Sequence, residues 1–218
     1  MEGLLFLSIT KRLKKDFLFA AQMIKYVSFD IEASGPCPGI YSMLSLGATI
    51  VGDTDKQFYR EIKPLNNNFT YEGMRFAIKG LRCLDEVDDP RADIESSQYD
   101  PLFILDVLRQ KGDDPKEVMK DYAFWVMEHA GDAVFEVASP IKFDSMFTTW
   151  YFHTFCPQYI PFSLTGEDIG SLYKGAVHDM DASLSDLDLG IAPHNALEDA
   201  ILRAKQMEAV LNLLYQKG

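Results

Sequence analysis

An α/β domain on a mixed central sheet, its first three strands antiparallel and its faces flanked by helices, is what the order of apolar patterns predicts. Three observations carry this reading. β-type runs follow one another closely between Ile24 and Lys63, a fourth run from Ala133 to Ala138 comes only after a helical segment, and the chain closes on an amphipathic stretch from Ala196 to Tyr215.

Ile24 to Ile31 reads as the first strand. After the Gly- and Pro-rich connection Ser34-Gly35-Pro36-Cys37-Pro38-Gly39, the run Ser42 to Val51 is its expected hairpin partner. Lys56 to Lys63 alternates Phe58, Arg60 and Ile62 with Tyr59, Glu61 and Lys63, and supplies a third strand before Pro64. From Asn66 to Pro101 the pattern is irregular, and the acidic cluster Asp85, Glu86, Asp88 and Asp89 reads as a solvated loop. Asp114 as N-cap and Pro115 in the first turn start a helix on which Val118, Tyr122, Trp125, Val126 and His129 recur near helical spacing; Gly131 ends it. The strand Ala133 to Ala138 then leads to Phe143-Asp144 at the start of an aromatic helix through Trp150 and Phe155. These rings read as core, because a long helix covering a sheet must bury one face. On the last helix Leu197, Ile201, Ala204, Met207, Val210, Leu211 and Leu214 form the stripe expected to pack on the sheet.

With 218 residues, 47% of them hydrophobic and 25% charged, the chain suits one domain with a substantial core. A net charge of -12 argues against a protein that coats long duplexes, which needs clustered Lys and Arg, but leaves room for short, metal-mediated contact with nucleic acid. Cys37, Cys83 and Cys156 are too widely spaced for a zinc site and odd in number for a disulfide framework, so a reduced, cytoplasmic setting is expected. No apolar run reaches the roughly eighteen residues of a membrane span, and Lys11, Arg12, Lys14 and Lys15 follow the apolar residues Leu4 to Ile9 instead of preceding them, unlike a signal peptide. Residues 1–22 read as an N-terminal extension, a helix or an upstream start, before a single domain over 23–218.

The chemistry lies in the acids. Asp30 and Glu32 stand two residues apart on a strand, so both side chains leave the same face and repel one another. A hard divalent cation, Mg²⁺ or Mn²⁺, is the natural partner for such a pair. Asp144 follows the fourth strand, and His194-Asn195-Ala196-Leu197-Glu198-Asp199-Ala200 opens the last helix, giving four acids and an imidazole in fixed order.

Over about Lys25 to Leu214 the chain resembles the DEDDh, or DnaQ-like, 3′-5′ exonucleases of the ribonuclease-H-like superfamily. Phe29-Asp30-Ile31-Glu32-Ala33-Ser34-Gly35 matches the first motif of that family, and the His194-x4-Asp199 spacing matches the third. In the middle motif the chain reads Ala138-Ser139-Pro140-Ile141-Lys142-Phe143-Asp144, where the family usually carries an Asn before the Phe-Asp pair.

The resemblance implies a ribonuclease-H-like fold and hydrolysis of single-stranded or short nucleic acid, DNA or RNA, from its 3′ end to nucleoside 5′-monophosphates. It implies two divalent ions, Mg²⁺ or Mn²⁺, held by Asp30, Glu32, Asp144 and Asp199, with His194 as general base. A metal pair about 4 Å apart can both activate a water and stabilise the charge that builds on the phosphate. Ala33, Ser34 and Gly35 would lie against the terminal ribose and Leu44 to Gly47, Leu46 included, would wall the terminal base; a turn role for Ser34 is equally open. An oligoribonuclease-like enzyme and a nuclease-derived binding or proofreading subunit stay open beside the general exonuclease, and a homodimer is common among small relatives. Protein beginning at Met23 is expected to keep soluble nuclease activity; loss of either on that truncation would make residues 1–22 part of the working protein.

Overall fold

β1 (Lys25–Ala33) lies at the centre of the sheet because both of its faces can be covered. Val27, Phe29 and Ile31 point to one side, Ser28, Asp30 and Glu32 to the other. The computed structural model describes residues 25–131 and 134–216, so the expected N-terminal extension and the first residues of the predicted strands, Ile24 and Ala133, lie outside the described residues. β1 pairs antiparallel with β2 (Met43–Ile50) and parallel with β4 (Val134–Ala138). β3 (Asp53–Glu61) completes the meander against β2, and β5 (Gly166–Asp168) lies parallel beyond β4. The result is a five-stranded mixed sheet of order β3-β2-β1-β4-β5, antiparallel through its first three strands as predicted.

Among the described residues, six helices flank it: α1 (Tyr71–Ala77), α2 (Pro101–Lys111), α3 (Pro115–Ala130), α4 (Ile141–Phe155), α5 (Ile169–Val177) and α6 (Ala196–Gln216). Asp114 caps α3 by accepting the Lys116 N–H at 2.9 Å, and Gly131 ends it at φ +78°. The main core lies between the Val27-Phe29-Ile31 face and α3 and α4, where Tyr122, Phe147, Tyr151 and Phe152 are wholly buried, so the aromatics of α4 are core. On the opposite face α6 lies across β1 and β2, and Ser28 Oγ donates to the Ala200 carbonyl at 2.8 Å. Val137, α5 and Met207 and Val210 of α6 fill the space beside it.

Two expectations need correction. The stretch from Asn66 to Pro101 is not irregular throughout. It contains α1 and two single 3₁₀ turns, Ile78–Gly80 and Arg82–Leu84, seated on a satellite core of Leu44, Met74, Ala77, Leu81 and residues of α2. The acidic cluster does face solvent, with Asp89 paired to Arg91. On α6 the stripe holds at Leu197, Ala204, Met207 and Val210, but Leu214 is exposed where the helix outruns the sheet. Among the described residues no helix is long and apolar enough to cross a membrane.

The approach of α6 to β2 depends on one missing side chain. A Cβ on Gly47 would overlap the backbone of Ala196 and Leu197, at the start of α6. Gly47→Ala is therefore expected to destabilise the protein by about 1–3 kcal/mol, the usual cost of overpacking. Urea unfolding checks this, and an unchanged midpoint would show that the helix can move away without cost.

Candidate active site

The site forms where β1 outlasts its parallel partner. The β1–β4 register ends at Ser28 and Val137, after which the chain turns into α4. The Ile31 N–H, beyond that last pair, donates to Asp144 Oδ1 at 3.2 Å, so a side chain from the first turn of α4 takes the place of the absent strand. Clefts at the carboxyl ends of parallel strands, where the chain order reverses, are the usual binding positions of open α/β sheets.

Asp30 and Glu32 reach this cleft from β1, Asp144 from α4 and Asp199 from the first turn of α6. His194 stands just before α6 in a left-handed conformation, φ +62°, and its N–H donates to Asp199 Oδ2 at 3.0 Å. Asn195 fixes the turn. Its Oδ1 accepts the Leu197 and Glu198 N–H groups, both at 3.1 Å, while its Nδ2 donates to the Gly80 carbonyl at 2.7 Å. The histidine loop is thus clamped to the turn that follows α1.

A carboxylate oxygen of Glu32, one of Asp199 and an imidazole nitrogen of His194 all lie within 4.8 Å of one another. Asp199 Oδ1 is buried without a partner among the described residues. An orphaned, buried carboxylate oxygen close to a second carboxylate fits a hard divalent cation, and nothing else among the described residues satisfies it.

Electrostatics point the same way. Asp144, Asp199 and Glu32 are only 3%, 4% and 8% exposed. Burial, with repulsion from Asp199 and Asp144, pushes Glu32 up to about 8 despite attraction from Lys79. Burial first, and then the charges of Asp144, Glu32 and Asp199, hold Asp30 well above the carboxylate range. Asp144 is raised chiefly by burial, and the Ile31 N–H and Arg203 oppose the shift. Asp199 is raised by burial against the attraction of His194 and Arg203.

The five residues singled out as acids and base therefore line one cleft of about 460 Å³, together with Ala33 and Gly35. The other expected substrate contacts are placed differently. Ser34 is buried and committed to the turn, its hydroxyl donating to the Asn68 carbonyl at 2.8 Å and accepting the Ser42 N–H at 3.0 Å. Leu46 is wholly buried in the main core and does not reach the cleft; Leu44 is equally buried in the satellite core. β2 lies between two strands with both faces covered, so none of its side chains is free to wall a base. Gly35 is required by its neighbour, since a Cβ there would overlap the Tyr41 ring.

The cleft also holds residues that sequence reasoning passed over: Glu72 and Phe76 of α1, and Arg203 of α6. The Phe76 ring lies against the His194 ring, centroids 4.9 Å apart, while 43% of the residue remains exposed. Thr70 caps α1 by accepting the Gly73 N–H at 3.0 Å, and its own N–H donates to the Ser34 carbonyl at 2.8 Å, tying α1 to the end of β1. Arg203 was legible, because it follows Asp199 by four residues on a helix and so shares its face.

No protein-family model matches the chain. It is similar to the 3′-5′ DNA exonuclease Cap18 of Escherichia coli, 31% identical over 155 residues that cover 70% of each chain. In fold it is similar to the nuclease domain of 3′hExo, a DEDDh family member bound to rAMP, with a TM-score of 0.59, 15% identity, and 89% of this chain and 92% of that one covered. It is likewise similar to S. pombe Pop2p in an Mg²⁺- and Mn²⁺-bound form, with a TM-score of 0.57, 13% identity, and 88% and 85% covered.

The raised carboxyls make the metal-free protein sensitive to pH in a defined direction. Between the ordinary carboxylate range and about 8, where Glu32 titrates in the folded state, the folded chain binds more protons than the unfolded one, so stability falls as pH rises. Buried Glu136, pushed up to about 8, adds to the same slope. Metal-free protein is expected to melt several degrees lower at about pH 8 than at about pH 5, with Mn²⁺ restoring the loss at the higher pH. A melting point that rises across this window, or one that Mn²⁺ leaves unmoved, would contradict the assigned electrostatics.

Proposed function

The chain belongs to the DEDDh family of 3′-5′ exonucleases with a ribonuclease-H-like fold, and on that premise we propose that it removes nucleoside 5′-monophosphates from the 3′ end of single-stranded DNA in a metal-dependent reaction. The observation that carries the proposal is the convergence of Asp30, Glu32, Asp144 and Asp199 with His194 in one cleft at the end of β1. DNA is favoured over RNA by the relative that acts on it.

In this reading the four carboxylates hold two divalent ions, Mg²⁺ or Mn²⁺. When bound, such ions supply activation of the attacking water and neutralise charge on the departing 3′ oxygen. An imidazole nitrogen of His194 takes the proton of the attacking water, a general-base role that an imidazole nitrogen within reach of the reacting water can fill. The left-handed turn and the His194 N–H bond to Asp199 keep that ring at the mouth of the carboxylate cluster, and the Phe76 ring limits its rotation. Ala33 and Gly35 let the sugar of the terminal nucleotide approach the backbone, and the exposed side of Phe76 offers its base a ring to lie on. Size-exclusion chromatography with light scattering tests whether the chain forms the homodimer that is common among small relatives.

Cleavage of 5′-labelled DNA and RNA oligomers with Mg²⁺, Mn²⁺ or EDTA tests the proposal. Laddering from the 3′ end is expected with metal and DNA, and Asp30→Ala is expected to abolish it. His194→Ala should keep Mn²⁺-dependent melting while losing about 10²- to 10⁴-fold in turnover. An unchanged rate would remove His194 from the chemistry, and preferential laddering of RNA would replace the DNA assignment.

A further inference from the structure

The catalytic cleft does not end at the carboxylates. Arg203 forms one wall of it and, with Ser139 and Ala192, one wall of a second hollow of about 560 Å³. The far side of that hollow carries Lys174 of α5 and the hydroxyl groups of Ser183 and Ser185. Arg203 uses NH1 to donate to Gln206 Oε1 at 2.8 Å, and its Nε is buried without a partner among the described residues. The Lys174 ammonium makes no hydrogen bond or ion pair among the described residues, and its charge only helps to lower the Asp168 carboxyl. Asp181, exposed on the rim, is the acid in the hollow.

The two ends of the groove differ in chemistry. Toward α1 the cleft is lined by Ala33, Gly35, Thr70 and Gly73, small residues and backbone that suit a chain terminus. Toward α5 it adjoins the hollow that carries two cations, Arg203 with its Nε unpartnered among the described residues and Lys174 without a hydrogen bond or ion pair there, in a protein whose net charge is -12. An enzyme that removes one terminal nucleotide needs a closed side for that nucleotide and an open side along which the rest of the polyanion leaves. Cations contribute to binding along the open side by taking up phosphates.

We propose that this second hollow is a subsite for a backbone phosphate of the strand 5′ to the scissile bond, held by Arg203 and Lys174. The inference rests on the exonuclease reading. It makes Lys174 a determinant of substrate length: a dinucleotide has no phosphate upstream of the scissile one, whereas longer strands do.

The test is a length series of DNA with a free 5′-hydroxyl, from two to eight nucleotides, in which release of nucleoside 5′-monophosphate is followed by chromatography with wild type, Lys174→Ala and Lys174→Glu; the octamer is also prepared with a 5′ label for binding. Lys174 is half-exposed and unpaired, so equal melting temperatures should show all three to be folded. Wild-type kcat/KM is expected to rise with length, and Lys174→Glu to lose about tenfold on the octamer with no change on the dinucleotide. Binding of the labelled octamer to Asp30→Ala protein, titrated with salt, provides a readout that needs no cleavage. Adding Lys174→Glu should weaken binding and lower the salt slope by about one. Equal effects at all lengths, or no effect on octamer binding, would overturn the subsite. Wild-type protein that binds the octamer through Lys174 but cleaves no strand would retain the subsite and remove the exonuclease reading.

Discussion

Mutual repulsion among four carboxylates is the constraint on which the rest of the structure depends. Asp30 and Glu32 share a face of β1 and cannot separate, and Asp144 and Asp199 are brought to them with little exposure to water. In water such charges would repel weakly, but burial raises both the desolvation cost and the repulsion. The metal-free cluster therefore keeps protons into the neutral range. A fold that accepts this arrangement must hold each acid by a backbone element that cannot yield. Here these elements are the central strand, a helix start that replaces a missing strand partner, and a helix that lies directly on two strands.

The same elements make the site and the fold one mechanical unit. Gly47 admits the start of α6, and that start carries Asp199 in its first turn and His194 just before it. Asn195 links the histidine loop to Gly80, while Thr70 links α1 to Ser34 at the end of β1. Each functional side chain thus lies one or two hydrogen bonds from a buried backbone. That placement limits its freedom before any ligand arrives, which is what catalysis by positioning requires. Loss of packing under α6 would move His194 and Asp199 together.

How much of this was legible follows from how local each signal is. Asp30 and Glu32 needed only the two-residue period of a strand, and the cap of α3 only the adjacent Asp114-Pro115 pair. The His194-to-Asp199 spacing crosses one helix start and so survives without knowledge of the tertiary fold. α1 was missed because seven residues give fewer than two helical turns, too few for a period, and because its stability comes from α2 and Leu44, remote in sequence. Leu46 was misplaced for a related reason. An apolar residue in a strand covered on both faces looks, in sequence, like one that lines an apolar pocket. Ser34 sits in the first motif, but its hydroxyl is used by the turn, and no one-dimensional pattern distinguishes a turn serine from a ligand-facing one.

Net charge is a poor guide to a nuclease of this kind, and the placement of its cations explains why. A formal charge of -12 should repel a polyanion, yet screening confines each charge to within about 8–10 Å at physiological salt. What a strand in the cleft would meet is the local set: Lys79 and Arg203 beside the carboxylates, with Lys174 in the adjoining hollow. The acidic loop around Asp85 to Asp89 lies exposed in the segment between α1 and α2, and its charges enter total composition without belonging to the cleft lining. A few cations placed along one groove can therefore seat a short strand on an acidic protein. On the proposed reading, the acidic remainder disfavours contact elsewhere, so productive binding would be restricted to strands that thread the groove with their 3′ end at the carboxylates.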